Sequence, residues 1–197
     1  MVRQSARLRA LVPYKNRGTY GWLEGSSLEL RRSIAIVQGD LRDPDIVDRV
    51  ATVCQYVFHL GAVISIPYSY IAPIDVTRVN VGGRQKIFNA CRRYGMQRLV
   101  HTSSSELSGT AQCVPIDAAY PLQAQSAYSA TKIAADTLVE NYSRFRDVPA
   151  VTLCLFNLCA PAIRPGGDSD DQRRTALGQE YSQTRLAHTY PRFHLRD

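Results

Sequence analysis

The sequence contains no uninterrupted apolar run near the roughly 18 residues that a membrane span requires. Its start, polar and Arg-containing, lacks the apolar core of a secretory leader. The expectation is a cytoplasmic chain with no membrane partner. No pair of cysteines or histidines stands at metal-ligand spacing, so no metal is expected. The five cysteines, Cys54, Cys91, Cys113, Cys154 and Cys159, are odd in number and scattered. Four of them lie in apolar or strand-like surroundings, which suits reduced core thiols rather than disulfides. The formal charge of +7 is compatible with a phosphate-bearing ligand or with a basic solvated surface. Its carriers are spread through Arg3 to Arg32, Arg84 to Arg98 and the tail, without an aromatic-interleaved stripe, and no nucleic-acid partner is expected.

What the 197 residues do contain, at 45% apolar content, is enough for one domain with a core of ordinary size. Leu8 to Val12, Ile34 to Val37, Tyr56 to Leu60, Leu99 to Ser103 and Ala150 to Phe156 read as five strands, the first of them short and buried. Between them, Asp43-Pro44 predicts a helix start, with Ile46, Val47 and Val50 at helical spacing and an end near Thr52. Ile74 to Tyr94 carries Val76, Val79, Ile87 and Ala90 on one face and meets Gly95 as a stop. Glu24 to Arg32 receives no firm assignment. Strands alternating with helices imply an α/β fold with a parallel sheet covered on both faces, whose ligands sit beyond the carboxyl ends of the strands. Those ends carry Asp40, Gly61-Ala62, Thr102 to Glu106 and Asn157. His59 and His101, flanked by apolar residues on strands, read as satisfied core histidines.

Ser126-Ala127-Tyr128-Ser129-Ala130-Thr131-Lys132 follows the fourth strand. A helix from Ala127 to Phe145 puts Tyr128 and Lys132 one turn apart on one face. An ammonium beside a phenol favours the phenolate, moving a pKa of about 10 towards neutrality, where tyrosine can act as acid or base. The alternative for the pair alone is ordinary packing on one helix. Asp40 and Asn157 can equally be turn residues, Glu106 a solvated loop carboxylate, and Ser103 to Ser105 strand-end hydrogen bonders.

Several motifs in order resemble the extended short-chain dehydrogenase/reductase family, and within it the NAD-dependent nucleotide-sugar epimerases and 4,6-dehydratases. Gly39-Asp40-Leu41-Arg42-Asp43 looks like the family's adenine-contacting turn, and Phe58-His59-Leu60-Gly61-Ala62 like its next cofactor strand. Thr102-Ser103-Ser104-Ser105-Glu106-Leu107-Ser108-Gly109 matches the dehydratase-type strand end. Tyr128-Ser129-Ala130-Thr131-Lys132 matches YxxxK, and Phe156-Asn157 the turn near the nicotinamide. Ile66-Pro67-Tyr68-Ser69-Tyr70 and Gly109-Thr110-Ala111-Gln112 look closer to the sugar dehydratases of nonulosonic-acid pathways.

The resemblance implies NAD as cofactor and a UDP-, dTDP- or GDP-hexose as substrate. It implies Asp40, Leu41, Leu60, Gly61, Ala62, Thr102, Ser103, Tyr128, Lys132 and Asn157 as cofactor contacts. Tyr128 would take the sugar O4 proton while the C4 hydride passes to NAD, with Lys132 holding the nicotinamide ribose and Ser104 hydrogen-bonding O4. Glu106 aligns with the carboxylate that removes the C5 proton, after which water leaves C6 and hydride returns there; simple epimerases usually lack it. Ser105 stands where many dehydratases have an acid, so the leaving hydroxyl has no clear proton donor. A homodimer through helices 74–94 and 127–145 is implied as well.

No glycine-rich GxGxxG turn precedes Leu8, and the expected fold is a Rossmann-like doubly wound parallel sheet lacking the first strand and that turn. In the family that strand lies between the second and fourth, so its loss leaves two unpaired edges. Residues 1–161 are therefore expected as an incomplete NAD-binding domain, with 162–197, poor in apolar periodicity, as a divergent, loosely ordered tail. Two expectations follow: a 4,6-dehydratase impaired by truncation, or a non-catalytic fragment that pairs with a full-length homologue.

Overall fold

The computed structural model describes residues 6–15, 18–112, 116 and 120–155. They fall into two compact units that divide between Asp40 and Leu41.

In the first unit, β1 (Leu8–Val12) pairs in parallel with β2 (Ile34–Gln38), Leu8 opposite Ile34 and Val12 opposite Gln38. The stretch left unassigned from sequence holds a 3-10 turn, Gly21–Gly25, and a short helix, α1 (Leu28–Arg32). α1 begins where the Ser27 hydroxyl accepts from Leu30 N–H at 3.2 Å, a cap that compensates for a run too short to hold itself as a helix.

The second unit opens with α2 (Pro44–Ala51). Asp43 starts it as the sequence predicts: Oδ1 accepts from the amides of Asp45 and Ile46 at 2.9 and 3.3 Å, and Pro44 occupies the first turn. Next come β3 (Tyr56–His59), α3 (Ile66–Ile71) and α4 (Pro73–Thr77). A π-helical turn, Arg78–Gly83, joins α4 to α5 (Arg84–Arg93). The segment expected to be helical from Ile74 to Tyr94 is therefore helical throughout, with one widened turn inside it. Gly95, at φ +61°, stops it. In the widened turn a Cβ on Gly83 would stand 3.1 Å from Leu41 Cβ and 3.3 Å from its carbonyl oxygen. Glycine there lets the helix approach the chain that leads into α2.

β4 (Arg98–Thr102), a 3-10 turn (Ser105–Ser108), α6 (Ala127–Phe145) and β5 (Ala150–Leu153) complete the unit. β3, β4 and β5 form one parallel sheet, with Val57 opposite Leu99 and Leu99 opposite Ala150. The pairing order is β3-β4-β5 in this sheet and β1-β2 in the other. Among the described residues no strand pairing joins the two sheets. Leu60 and Ser103, read as strand residues, lie just past the ends of β3 and β4.

The core of this unit gathers Val47 and Ala51 of α2, Ile87, Phe88, Ala90 and Cys91 of α5, Leu99 of β4 and Val139 of α6. Phe88 is fully buried, its ring 5.0 Å from that of Tyr142. Cys91 is a core thiol as expected, whereas Cys154 is exposed; Cys113 and Cys159 lie outside the described residues, as do Asn157 and the tail over 162–197. No helix among the described residues is long and apolar enough to cross a membrane.

Candidate active site

The site is built on the first turns of α6. Ser126 and Ser129 form a reciprocal cap: the Ser126 hydroxyl accepts from Ser129 N–H, and the Ser129 hydroxyl accepts from Ser126 N–H, both at 3.0 Å. The serine inside the Tyr-Lys motif thus fixes where the helix starts, and with it the position of Tyr128 one residue earlier. Thr131 adds a further tie, its hydroxyl donating to the Tyr128 carbonyl at 2.7 Å.

Tyr128 and Lys132 are both buried, at 6% and 4% exposure. Lys132 Nζ stands 5.9 Å from the centre of the Tyr128 ring, so the two side chains share one face as their spacing predicts. The ammonium donates to the carbonyl of Thr102 at 3.1 Å, which ties α6 to the carboxyl end of β4. Burial foremost, with the nearby Arg84 charge, brings Lys132 down to about 8, while Asp136 opposes the shift.

The strand end itself carries the other expected catalytic groups. Ser104 Oγ accepts from Glu106 N–H at 3.3 Å and so caps the 3-10 turn, keeping its own O–H for donation. The Glu106 carboxylate is exposed on that turn, which packs on α6. Ser103 is different from its expectation as a cofactor contact: its hydroxyl faces inward and donates to Asp136 Oδ2 at 2.5 Å. Thr102 Oγ1 is buried without a hydrogen-bond partner among the described residues.

The loop after β3 supplies the small residues. Gly61 faces Leu41, where a Cβ would meet Leu41 Cδ1 at 2.8 Å, so these two expected cofactor residues are brought together. Ala62 is half-buried and Leu60 exposed. Asp40 is exposed and belongs to the first unit.

Three residues of this region escaped the sequence reading. Asn80, fully buried in the π-turn, accepts from Val63 N–H at 2.8 Å and donates to Val63 O at 3.0 Å and Thr131 Oγ1 at 3.1 Å. It locks the glycine loop to α6. Arg84, at 1% exposure, lies with its Nη1 3.4 Å from His101 Nε2, and burial lowers it to about 10. Asp136 Oδ1 stands 2.7 Å from the same His101 nitrogen. The legible signal was polarity on an apolar stripe: Asn80 and Arg84 continue the helical spacing of Val76 towards Ile87 and Cys91.

His101 is buried and paired; His59 is buried, but its Nε2 has no hydrogen-bond partner among the described residues. Burial first, and the Arg84 charge after it, hold His59 well below its ordinary range. No cluster of three or more His, Cys, Asp or Glu able to hold a metal ion occurs among the described residues.

A family model described as GDP-mannose 4,6 dehydratase matches residues 2–167. The dTDP-glucose 4,6-dehydratase of Streptomyces antibioticus is 31% identical over 126 residues, covering 64% of this chain and 38% of that protein. The UDP-glucose 4-epimerase of Azospirillum brasilense is 27% identical over 138 residues, covering 68% and 40%. Among solved structures, the UDP-glucose 4-epimerase of Brucella ovis in complex with NAD superposes with a TM-score of 0.60 at 26% identity, over 75% of this chain and 44% of that one. The chain spans about two fifths of the length of these curated relatives.

Proposed function

Because the chain belongs to the GDP-mannose 4,6-dehydratase family of nucleotide-sugar dehydratases and epimerases, we propose that its site performs the 4,6-dehydratase reaction on a UDP-, dTDP- or GDP-hexose. The observation that carries this reading is the buried Tyr128/Lys132 face, fastened through Thr102 to the strand end that bears Ser104 and Glu106. Residues 1–161 are the NAD-binding part, and helices 74–94 and 127–145 the surface through which two copies pair.

The residues present fit the nicotinamide end of a dinucleotide. Lys132 Nζ spends one N–H on Thr102, and the buried Thr102 hydroxyl has no partner among the described residues; both suit ribose hydroxyls. Asp40, Leu41, Gly61, Ala62 and Asn157 are the further contacts proposed. When bound, NAD supplies a hydride acceptor that later returns the hydride. The chain's own groups do the rest. Tyr128 takes the proton from the sugar O4, Ser104 O–H donates to that oxygen, and Lys132 supports the charge on the phenol oxygen. Glu106, exposed on the 3-10 turn, withdraws the proton at C5.

The test is to incubate the protein with NAD and each of the three classes of nucleotide hexose and read products by mass spectrometry. Dehydration gives a product lighter by one water; epimerisation gives one of unchanged mass. The expected result is water loss that Glu106→Gln abolishes. An isomer of unchanged mass, with Glu106→Gln as active as the native chain, overturns the dehydratase reading.

A further inference from the structure

Behind the Tyr128/Lys132 face lies a second group of charged side chains that the reaction above does not use. Asp136 sits one helical turn after Lys132 on α6, and both of its oxygens are occupied: Oδ1 lies 2.7 Å from His101 Nε2, and Oδ2 accepts from Ser103 Oγ at 2.5 Å. A carboxylate only accepts, so His101 Nε2 carries the hydrogen. That assignment settles the role of Arg84. Its Nη1 points at the same imidazole nitrogen, 3.4 Å away, and finds an N–H there instead of a lone pair. Arg84 Nε and His101 Nδ1 have no partner among the described residues either. A guanidinium at 1% exposure therefore stands in the interior with no direct hydrogen-bonded counter-charge among the described residues, and its field falls on its neighbours.

Lys132 is the neighbour with most at stake. The groups that face it are Arg84 from α5, Asp136 and Tyr128 from its own helix, and the imidazoles of His59 on β3 and His101 on β4, both of which lie within its electrostatic reach. The 3-10 turn adds Glu106, which is exposed. One carboxylate thus faces the Arg84 guanidinium, the Lys132 amine and two imidazoles. The carboxylate is clamped in place by β4, and the guanidinium is clamped by burial.

We propose that Asp136, held by His101 and Ser103, and Arg84 opposing it are positioning residues that set the charge Lys132 carries beside Tyr128. The idea rests on the reading that Lys132 serves Tyr128 in proton transfer. Arg84 keeps the ammonium easily discharged, Asp136 keeps it from discharging outright, and the fraction charged becomes sensitive to small displacements of either. The direction of the Lys132 shift, with Arg84 lowering it and Asp136 raising it, agrees with this geometry.

The chain has three lysines, Lys15, Lys86 and Lys132, so each can be followed separately. The experiment is a pH titration of the protein labelled with carbon-13 lysine, read at Cε by NMR, without cofactor or sugar, with Lys132→Met as the assignment control. In the native chain Lys132 is expected to titrate at about 8, below the ordinary lysine value of 10.5. Asp136→Asn is expected to lower its midpoint by about 1 pH unit, and Arg84→Gln to raise it by about 1. A native Lys132 that titrates at the ordinary lysine value of 10.5, or a midpoint unmoved or moved the same way in both variants, overturns the proposal. The native titration decides even if a variant does not fold. The readout is independent of turnover: if NAD does not bind, the enzymatic reading fails while this titration still stands or falls on its own.

Discussion

Replacing Asn80 by Ala removes three hydrogen bonds at once, two to Val63 and one to Thr131. At about 1 kcal/mol each, the second unit should lose about 3 kcal/mol. The amide of Val63 loses its acceptor, and leaving a partly buried donor unpaired costs about 1–3 kcal/mol. Because each 1.4 kcal/mol is about a factor of ten in an equilibrium, Val63 N–H should exchange with solvent roughly 10- to 100-fold faster. Asn80→Asp separates the two halves of the argument. It keeps the oxygen that accepts from Val63 N–H but presents lone pairs to Val63 O and to Thr131 Oγ1, whose own hydrogen is committed to Tyr128. The Asn80→Asp variant should therefore retain Val63 protection while still destabilising the unit. Urea unfolding followed by hydrogen exchange measures both. A loss under about 1 kcal/mol in Asn80→Ala with Val63 protection unchanged would refute the claim that this side chain locks the glycine loop.

Three further outcomes follow from the packing and the buried bases. Phe88→Ala should cost about 3–5 kcal/mol in urea unfolding, since the ring is fully buried against Tyr142; a loss below about 1 kcal/mol would contradict the core described. Gly109→Ala should destabilise by more than about 1 kcal/mol, because φ is +63° and the new Cβ would lie 2.7 Å from Gln123 O; an unchanged melting temperature would count against that turn. Stability should also vary with pH in two windows. His59 and His101 are held below their ordinary value of 6.5, so as pH falls through 6.5 the unfolded chain gains protons the folded chain refuses, and stability drops. Lys132 at about 8, against 10.5 ordinarily, makes stability rise between those values by at most about 1.4 kcal/mol per pH unit. A flat profile from pH 8 to 10, or a slope that Lys132→Met leaves intact, would refute the second window.

The strands were legible because their apolar runs are short, β-branched and bounded by turn residues. Ile34-Ala35-Ile36-Val37 and Leu99-Val100 read the same way in sequence and in structure. α2 was legible through Asp43-Pro44. α3 was not, because Ile66, Tyr68, Tyr70 and Ile71 favour strands by propensity, and the helix depends on the Ser65 hydroxyl accepting from Tyr68 N–H and on Pro67 in the first turn. At the site, Tyr128 and Lys132 could be paired from spacing alone because one helix holds both. Asn80, Arg84 and Asp136 could not be placed, since their partners lie 17 to 51 residues away and no local pattern encodes such distances. Ser103 shows the same limit: a hydroxyl at a strand end is visible, but whether it turns outward to a ligand or inward to Asp136 depends on another element.

The π-turn between α4 and α5 sets the angular phase of everything after it. An α-helix advances about 100° per residue, and a widened turn accommodates one residue more than the α-helical pitch allows. Were the same residues wound as uninterrupted α-helix, without the widened turn, the remainder of the segment would swing by about that angle relative to α4. Phe88 and Cys91 would then leave the interior, and Arg84 would no longer confront His101. Point changes at Gly82, where a Cβ meets nothing within 4 Å, should leave the widened turn and that phase in place.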